Sequence, residues 1–158
     1  MKSLRWLSAV EVRTINNTIL KQCGICFPTT LLYYLNEKEK LFLVNTDFKK
    51  VDERKLIIDR VGLYVGEVKE KEVRLSKEGA QFLGNLARES GVELKNTFDV
   101  GSERVKEYFI GEDMDVDLGV EPRMMFVVYD SQVIGYAKYK EGVLHNYHPK
   151  QHRGEVIV

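Results

Sequence analysis

The spacing of apolar and polar positions changes period several times along the chain, and each change marks an element. Ser8-Ala-Val-Glu11 has the spacing of a capping box, in which serine and glutamate side chains satisfy each other's free N–H groups at a helix start. It predicts a helix over about Ala9–Gln22, with Val10, Ile15, Ile19 and Leu20 as its apolar stripe and Gly24 as its stop. After Pro28, two β-rich runs, Leu31–Leu35 and Leu41–Val44, flank the charged stretch Asn36–Lys40 and read as a hairpin. Asp47–Asp59 mixes charge with a few apolar residues and predicts a short helix. Strands over Val61–Val68 and Val73–Leu75 enclose Lys69-Glu-Lys-Glu72 as a second hairpin. Ser76 then caps a helix from Lys77 to about Glu89, with Ala80, Phe82, Leu83 and Leu86 on its buried side and Ser90-Gly91 ending it.

Beyond Gly91 the pattern changes to short β runs, glycines and one short helix, which places a domain boundary near that residue. Val92–Phe98 is strand-like and Ser102–Phe109 helix-like. Met124–Tyr129 is a strongly apolar strand, which turns at Asp130-Ser131 into Gln132–Tyr139, and a last strand is expected over Glu155–Val158. The pattern as a whole predicts an α+β protein of two domains: a mixed α/β domain over 1–91 and a small, mostly β unit over 92–158 with the strands of a pseudo-barrel.

Charge adds position to this outline. Lys+Arg and Asp+Glu both number 24, so a generally basic coat is excluded and an anionic partner must meet a local patch. Residues 1–98 carry 17 basic and 13 acidic side chains, 99–121 carry 2 and 8, and 122–158 carry 5 and 3. The acidic excess centres on Glu112-Asp-Met-Asp-Val-Asp117. An EF-hand loop starting at Asp113 would need glycine and glutamate where Leu118 and Met124 stand, so a solvated acidic edge that repels RNA is the better reading. The opposite texture occupies Ile134–Gly154, which holds His145, His148 and His152, Tyr136, Tyr139 and Tyr147, the cations Lys138, Lys140, Lys150 and Arg153, and a single acid, Glu141. Cations that neutralise phosphates, interleaved with rings that stack on bases, make a candidate nucleic-acid surface. Strand alternation puts Tyr136, Lys138 and Lys140 on one face and Ala137 and Tyr139 on the other.

Other motifs carry less. Cys23-Gly-Ile-Cys26 follows a helix rather than opening one, the wrong order for a thioredoxin-like site, and a zinc site would need two further ligands. Structural thiols are expected. There is no Gly-x-Ser-x-Gly elbow, and the histidines cluster in one loop, which discounts serine hydrolase chemistry. Trp6 reads as a core or inter-domain anchor. No apolar run reaches bilayer length and the first residues lack a signal-peptide h-region, so a cytoplasmic location without membrane contact is expected.

The residues Gly101-Ser-Glu-Arg-Val-Lys-Glu-Tyr-Phe-Ile-Gly-Glu-Asp113, the apolar strand after them, Ile134-Gly-Tyr-Ala-Lys138, and Gly142-Val-Leu-His-Asn-Tyr-His-Pro-Lys150 with Arg153 form a series. Over roughly residues 95–154 this series resembles the C-terminal PUA-like region of Sun/Nop-type RNA cytosine-5 methyltransferases. Ala137 stands where that family usually has glycine, His145 where it has lysine, which makes the charge there pH-dependent, and His148 separates Tyr147 from Pro149. Gly62-Leu-Tyr-Val-Gly-Glu67 and Leu75-Ser-Lys-Glu-Gly79 resemble the segment that precedes the PUA-like unit. The resemblance implies a pre-PUA domain over 1–91 and a PUA-like RNA-binding pseudo-barrel over 92–158. It implies RNA contact by Lys138, Lys140, His145, Asn146, Tyr147, Lys150, His152 and Arg153, and by Gly101, Arg104 and Lys106 on the glycine-bearing helix.

Neither the glycine-rich S-adenosylmethionine loop nor the catalytic cysteine motif of these enzymes occurs in the chain. The expected protein is therefore a non-enzymatic, cofactor-free binder of structured ribosomal RNA, acting in ribosome biogenesis or RNA modification. The alternative is a Nip-type adaptor that holds an RNA methyltransferase or ribosome assembly factor and touches RNA weakly.

Overall fold

The computed structural model describes residues 4–50, 61–150 and 153. The chain divides into two compact units, Met1–Gly79 and Ala80–Val158. Each contains one five-stranded sheet, and three α-helices accompany the sheets among the described residues, so the fold is α+β.

The first unit is an antiparallel meander, β1 (Arg5–Trp6), β2 (Leu32–Leu35), β3 (Lys40–Val44), β4 (Leu63–Val68) and β5 (Val73–Leu75), with neighbours in chain order. Between β1 and β2 runs α1 (Ala9–Cys23), opened by the Ser8/Glu11 capping box and closed by Gly24 in the left-handed region at φ 86°. Its buried side is Ile15, Asn16, Ile19 and Cys23, at the i, i+4 spacing of one helix face. Val10 and Leu20, expected on that stripe, are exposed because they lie off the face that these residues define. The Gln22 carboxamide fastens α1 to β5, donating to Val73 O at 2.7 Å and accepting from Val73 N at 3.1 Å.

In the β2–β3 hairpin the Asn36 side chain accepts from Lys38 N and Lys40 N, replacing strand partners that the turn lacks. Tyr34 stacks on Phe42 at 4.8 Å and meets the edge of Trp6 at 5.5 Å. Trp6 is thus part of this unit's aromatic core. A 3-10 helix (Thr46–Lys50) follows β3; the rest of the expected Asp47–Asp59 helix lies outside the described residues.

Helix α2 (Lys77–Ser90) starts in the first unit and continues into the second. Ser76 Oγ accepts from Gly79 N at 2.9 Å and donates to Tyr64 O at 2.8 Å, so the cap also ties the helix start to β4. Gly79 must be glycine because a Cβ there would run into the Val65 carbonyl. The other end carries a Schellman closure: Gly91 adopts φ 69° and Val92 N donates to Ala87 O at 2.9 Å. The division into units falls in the first turn of α2, whereas the sequence pattern changes at its far end, near Gly91.

The second unit has the strand order β6-β8-β9-β10-β7, where β6 is Thr97–Asp99, β7 Met114–Asp115, β8 Arg123–Tyr129, β9 Gln132–Lys140 and β10 Val143–Asn146. Among the described strands only β6 pairs in parallel, with β8. The sheet curls into a half-barrel. The strand expected over Val92–Phe98 is confined to 97–99, since the residues nearer α2 close that helix instead of joining a ladder. Two residues with positive φ, Asp130 and Ser131, turn β8 into β9, and Glu141-Gly142 turns β9 into β10, the pattern of type I′ hairpins. Helix α3 (Gly101–Ile110) packs Val105 and Tyr108 into a core with Met114, Met125, Val127, Ala137, Tyr139 and Leu144. The final strand expected at Glu155–Val158 lies outside the described residues.

Candidate nucleic-acid interface

The β9–β10 ribbon and the loop after it carry most of the residues that sequence reading selects. The alternation holds on the core side, where Ala137 and Tyr139 are fully buried. On the other side Lys140 is exposed, Lys138 half-buried and Tyr136 buried, its ring packed against Phe126 at 5.0 Å. Lys138 lies directly across from His145 in the antiparallel register, and Lys140 across from Val143. Cross-strand pairing therefore places His145 beside Lys138, although seven positions separate them in sequence.

Asn146 is not an exposed base reader. It is 8% exposed, and its carboxamide nitrogen donates to Tyr108 O at 2.8 Å and Glu112 O at 3.0 Å. Its side-chain oxygen accepts from His148 N at 2.7 Å. Tyr108 O lies in the last turn of α3, where carbonyls lack intrahelical partners, and Glu112 O lies just past the Gly111 cap. Asn146 thus joins β10 to α3 and sets the start of the loop. His148 is buried, with its ring against Tyr108 and Phe109. Two other loop residues are exposed, Tyr147 at 44% and Lys150.

Arg153 closes the loop by donating from Nε to His148 O at 3.0 Å. Its side chain lies against Gly111, where a Cβ would collide with the guanidinium and its Cδ. Gly111 is also the left-handed cap of α3 at φ 93°, so it is glycine for two reasons. His152 lies outside the described residues.

On α3, Gly101 has φ 69° and donates its N–H to Asp99 Oδ1 at 2.9 Å. Nothing lies within 4 Å of where its Cβ would be, so backbone conformation rather than space selects glycine. Lys106 is exposed. Arg104 is engaged by Asp115 O at 3.2 Å and by Glu107 at 3.5 Å.

Sequence reading missed the role of Asp113. One carboxylate oxygen accepts from Asn146 N at 2.8 Å and the other lies 3.5 Å from His145 Nδ1. The expected repulsive edge is β7, which pairs with β10: Asp115 stands across from Val143 and Met114 from Leu144. The acidic strand therefore borders the basic ribbon directly. A two-residue strand leaves almost no periodic signal, so nothing in the sequence located this pairing. No group of residues that could hold a metal occurs among the described residues. Cys23 is buried and Cys26 half-buried, and burial pushes the Cys26 thiol above its ordinary pKa, the opposite of an activated thiolate.

A search of the curated proteins found no match. Among solved structures, the chain is similar to a hypothetical protein, PH0734.1, from the hyperthermophilic archaeon Pyrococcus horikoshii OT3. That likeness has a TM-score of 0.54 and 14% identity over 97% of this chain and 90% of the other, and it speaks to fold alone. Residues 95–153 match the family model of the methyltransferase RsmF PUA domain. That span holds α3, β7, the β9–β10 ribbon and its loop, and PUA domains bind RNA. Residues 95–153, within the second unit, are accordingly similar to the PUA domain of the methyltransferase RsmF.

Proposed function

We propose that the chain is a non-catalytic RNA-binding protein whose partner is structured ribosomal RNA, in ribosome biogenesis or RNA modification in the cytoplasm, with residues 92–158 as the RNA-binding domain. The observation that carries this reading is the β9–β10 ribbon, where a PUA-type scaffold sets His145 beside Lys138 and leaves Lys140, Tyr147 and Lys150 outward. Cations on a strand and loop position a phosphate backbone, and an exposed ring takes an unstacked base. Arg104 and Arg153 each keep one edge committed to a backbone carbonyl, which holds the guanidinium in place for a phosphate. Asn146 and His148 act by fixing the loop. An RNA methyltransferase or assembly factor working on the same RNA is the protein partner this reading implies.

Filter binding with ribosomal RNA fragments tests it. Lys138→Glu, Lys140→Glu and Lys150→Glu should each weaken binding about tenfold, and the triple variant should flatten the slope of log K against log salt by about two to three. Affinity that ignores all three reversals, or that does not vary with salt, overturns the reading.

A further inference from the structure

Three ionisable side chains stand in one row across the β9–β10 ribbon and β7. The register sets Lys138 of β9 opposite His145 of β10, and it sets Leu144 opposite Met114 of β7. Asp113, the residue before β7, is thereby brought to the other side of His145, with its Oδ2 3.5 Å from His145 Nδ1 and the two side chains 55% and 42% exposed. The other oxygen of Asp113 accepts from Asn146 N at 2.8 Å, so β10 itself holds the carboxylate in place. The neighbouring row is Lys140, Val143 and Asp115. A valine fills its middle position, so its charge does not change near neutral pH. Beyond Lys138 the row meets buried Met124 of β8, which carries no charge. Helix α3 brings Arg104 to this edge, bonded to Asp115 O and 3.5 Å from Glu107, and exposed Glu112 precedes Asp113.

Histidine is the side chain whose charge changes between about pH 5 and 8. A neutral imidazole leaves the row with one cation and one anion. With Nδ1 turned to the Asp113 carboxylate, the neutral ring keeps its proton there and Nε2 is an acceptor, which a phosphate oxygen cannot use. Protonation gives the row a second cation and makes Nε2 a donor. We propose that protonation of His145 switches the affinity of the ribbon for RNA, with Asp113 holding the imidazolium and Lys138 sharing the same stretch of phosphate backbone. This inference rests on the reading of the ribbon as the RNA-contacting surface. A phosphate beside His145 favours the charged ring, so RNA binding takes up a proton and tightens as pH falls.

The full chain is titrated with a ribosomal RNA fragment at several pH values, at low salt because the pair is solvent-exposed and screened by ions. Affinity should rise about three- to tenfold from about pH 8 to about pH 5.5. His145→Gln should bind at every pH as the wild type does in alkali, and His145→Lys as the wild type does in acid. Asp113→Asn keeps an oxygen for Asn146 N but removes the anion, so it should bind more tightly in alkali and move the midpoint of the pH curve downward. A full pH dependence retained in His145→Gln overturns the inference and assigns the effect to another group, such as His148 or His152. Binding that does not vary with pH but is still weakened by Lys138→Glu overturns the inference and leaves the RNA reading standing. Absence of binding at every pH overturns the RNA reading and the inference with it.

Discussion

Tyr108 and Gly135 show how tightly single residues are fixed around the interface. The Tyr108 hydroxyl is buried with no hydrogen-bond partner among the described residues, and burial pushes its pKa well above the ordinary phenol value. A Cβ on Gly135 would occupy the space of that hydroxyl. Gly135→Ala should therefore destabilise the protein by about 1–3 kcal/mol, the usual cost of forcing extra volume into a packed core. Tyr108→Phe alone should be close to neutral, because it removes an unsatisfied group, and it should recover part of the loss in the double variant. Denaturant unfolding of the four proteins closes the cycle. Asn146→Ala removes the bonds to the Tyr108 and Glu112 carbonyls and should cost about 1–3 kcal/mol while also weakening RNA binding, whereas Lys140→Glu should weaken binding with stability unchanged. Asn146 was legible in the sequence as an important residue but not in its role. Residue type and motif spacing are local, while its two acceptors lie 38 and 34 positions away.

At the level of elements, the candidate interface sets Asp115 of β7 beside β10, which pairs on its other side with the lysine-bearing β9. Asp115 on β7 is exposed and faces Val143 on β10, and only its backbone oxygen holds Arg104. Asp115→Asn should strengthen RNA binding about two- to threefold at low salt, with the difference shrinking as added salt screens the repulsion. Affinity unchanged at low salt would place the RNA path away from this edge. In the first unit the β4–β5 hairpin offers a test by pH. Glu67 lies 2.8 Å from Lys69, and that bond holds its carboxyl below the usual range. A carboxyl depressed in the folded state stabilises above its unfolded pKa and loses that contribution as pH falls through its folded pKa. Glu67→Gln should thus lower stability by less than about 1 kcal/mol at neutral pH, since the pair is partly exposed, and the gap should close in acid. Thermal melts of both proteins at several pH values measure it.

Across the whole molecule, equal numbers of acidic and basic residues mean that binding must come from the arrangement of charge rather than from its excess. The protein should consequently show weak, strongly salt-sensitive affinity for generic polyanions such as heparin, and a much larger affinity for its own RNA. Comparable retention of both at moderate salt would count against a shaped site. Each of the two units has its own sheet, with a strand-and-loop surface in the second and an open cavity in the first. The cavity could not be seen in the sequence because its lining comes from β1, α1, β2 and the 3-10 helix, with no common spacing.

Sequence alone determined the elements whose causes are local. The capping box of α1, the cap of α2, the Asp130-Ser131 turn, the alternation along β9 and the motif series within residues 95–153 all depend on side chains a few positions apart. The tertiary structure decided what depends on partners far along the chain. Strand pairing brought β7 with Asp115 against β10, and packing buried Asn146 and His148 in a stretch expected to be exposed. Hydrogen-bond register and burial are set by which surfaces meet, and period and spacing hold no record of that.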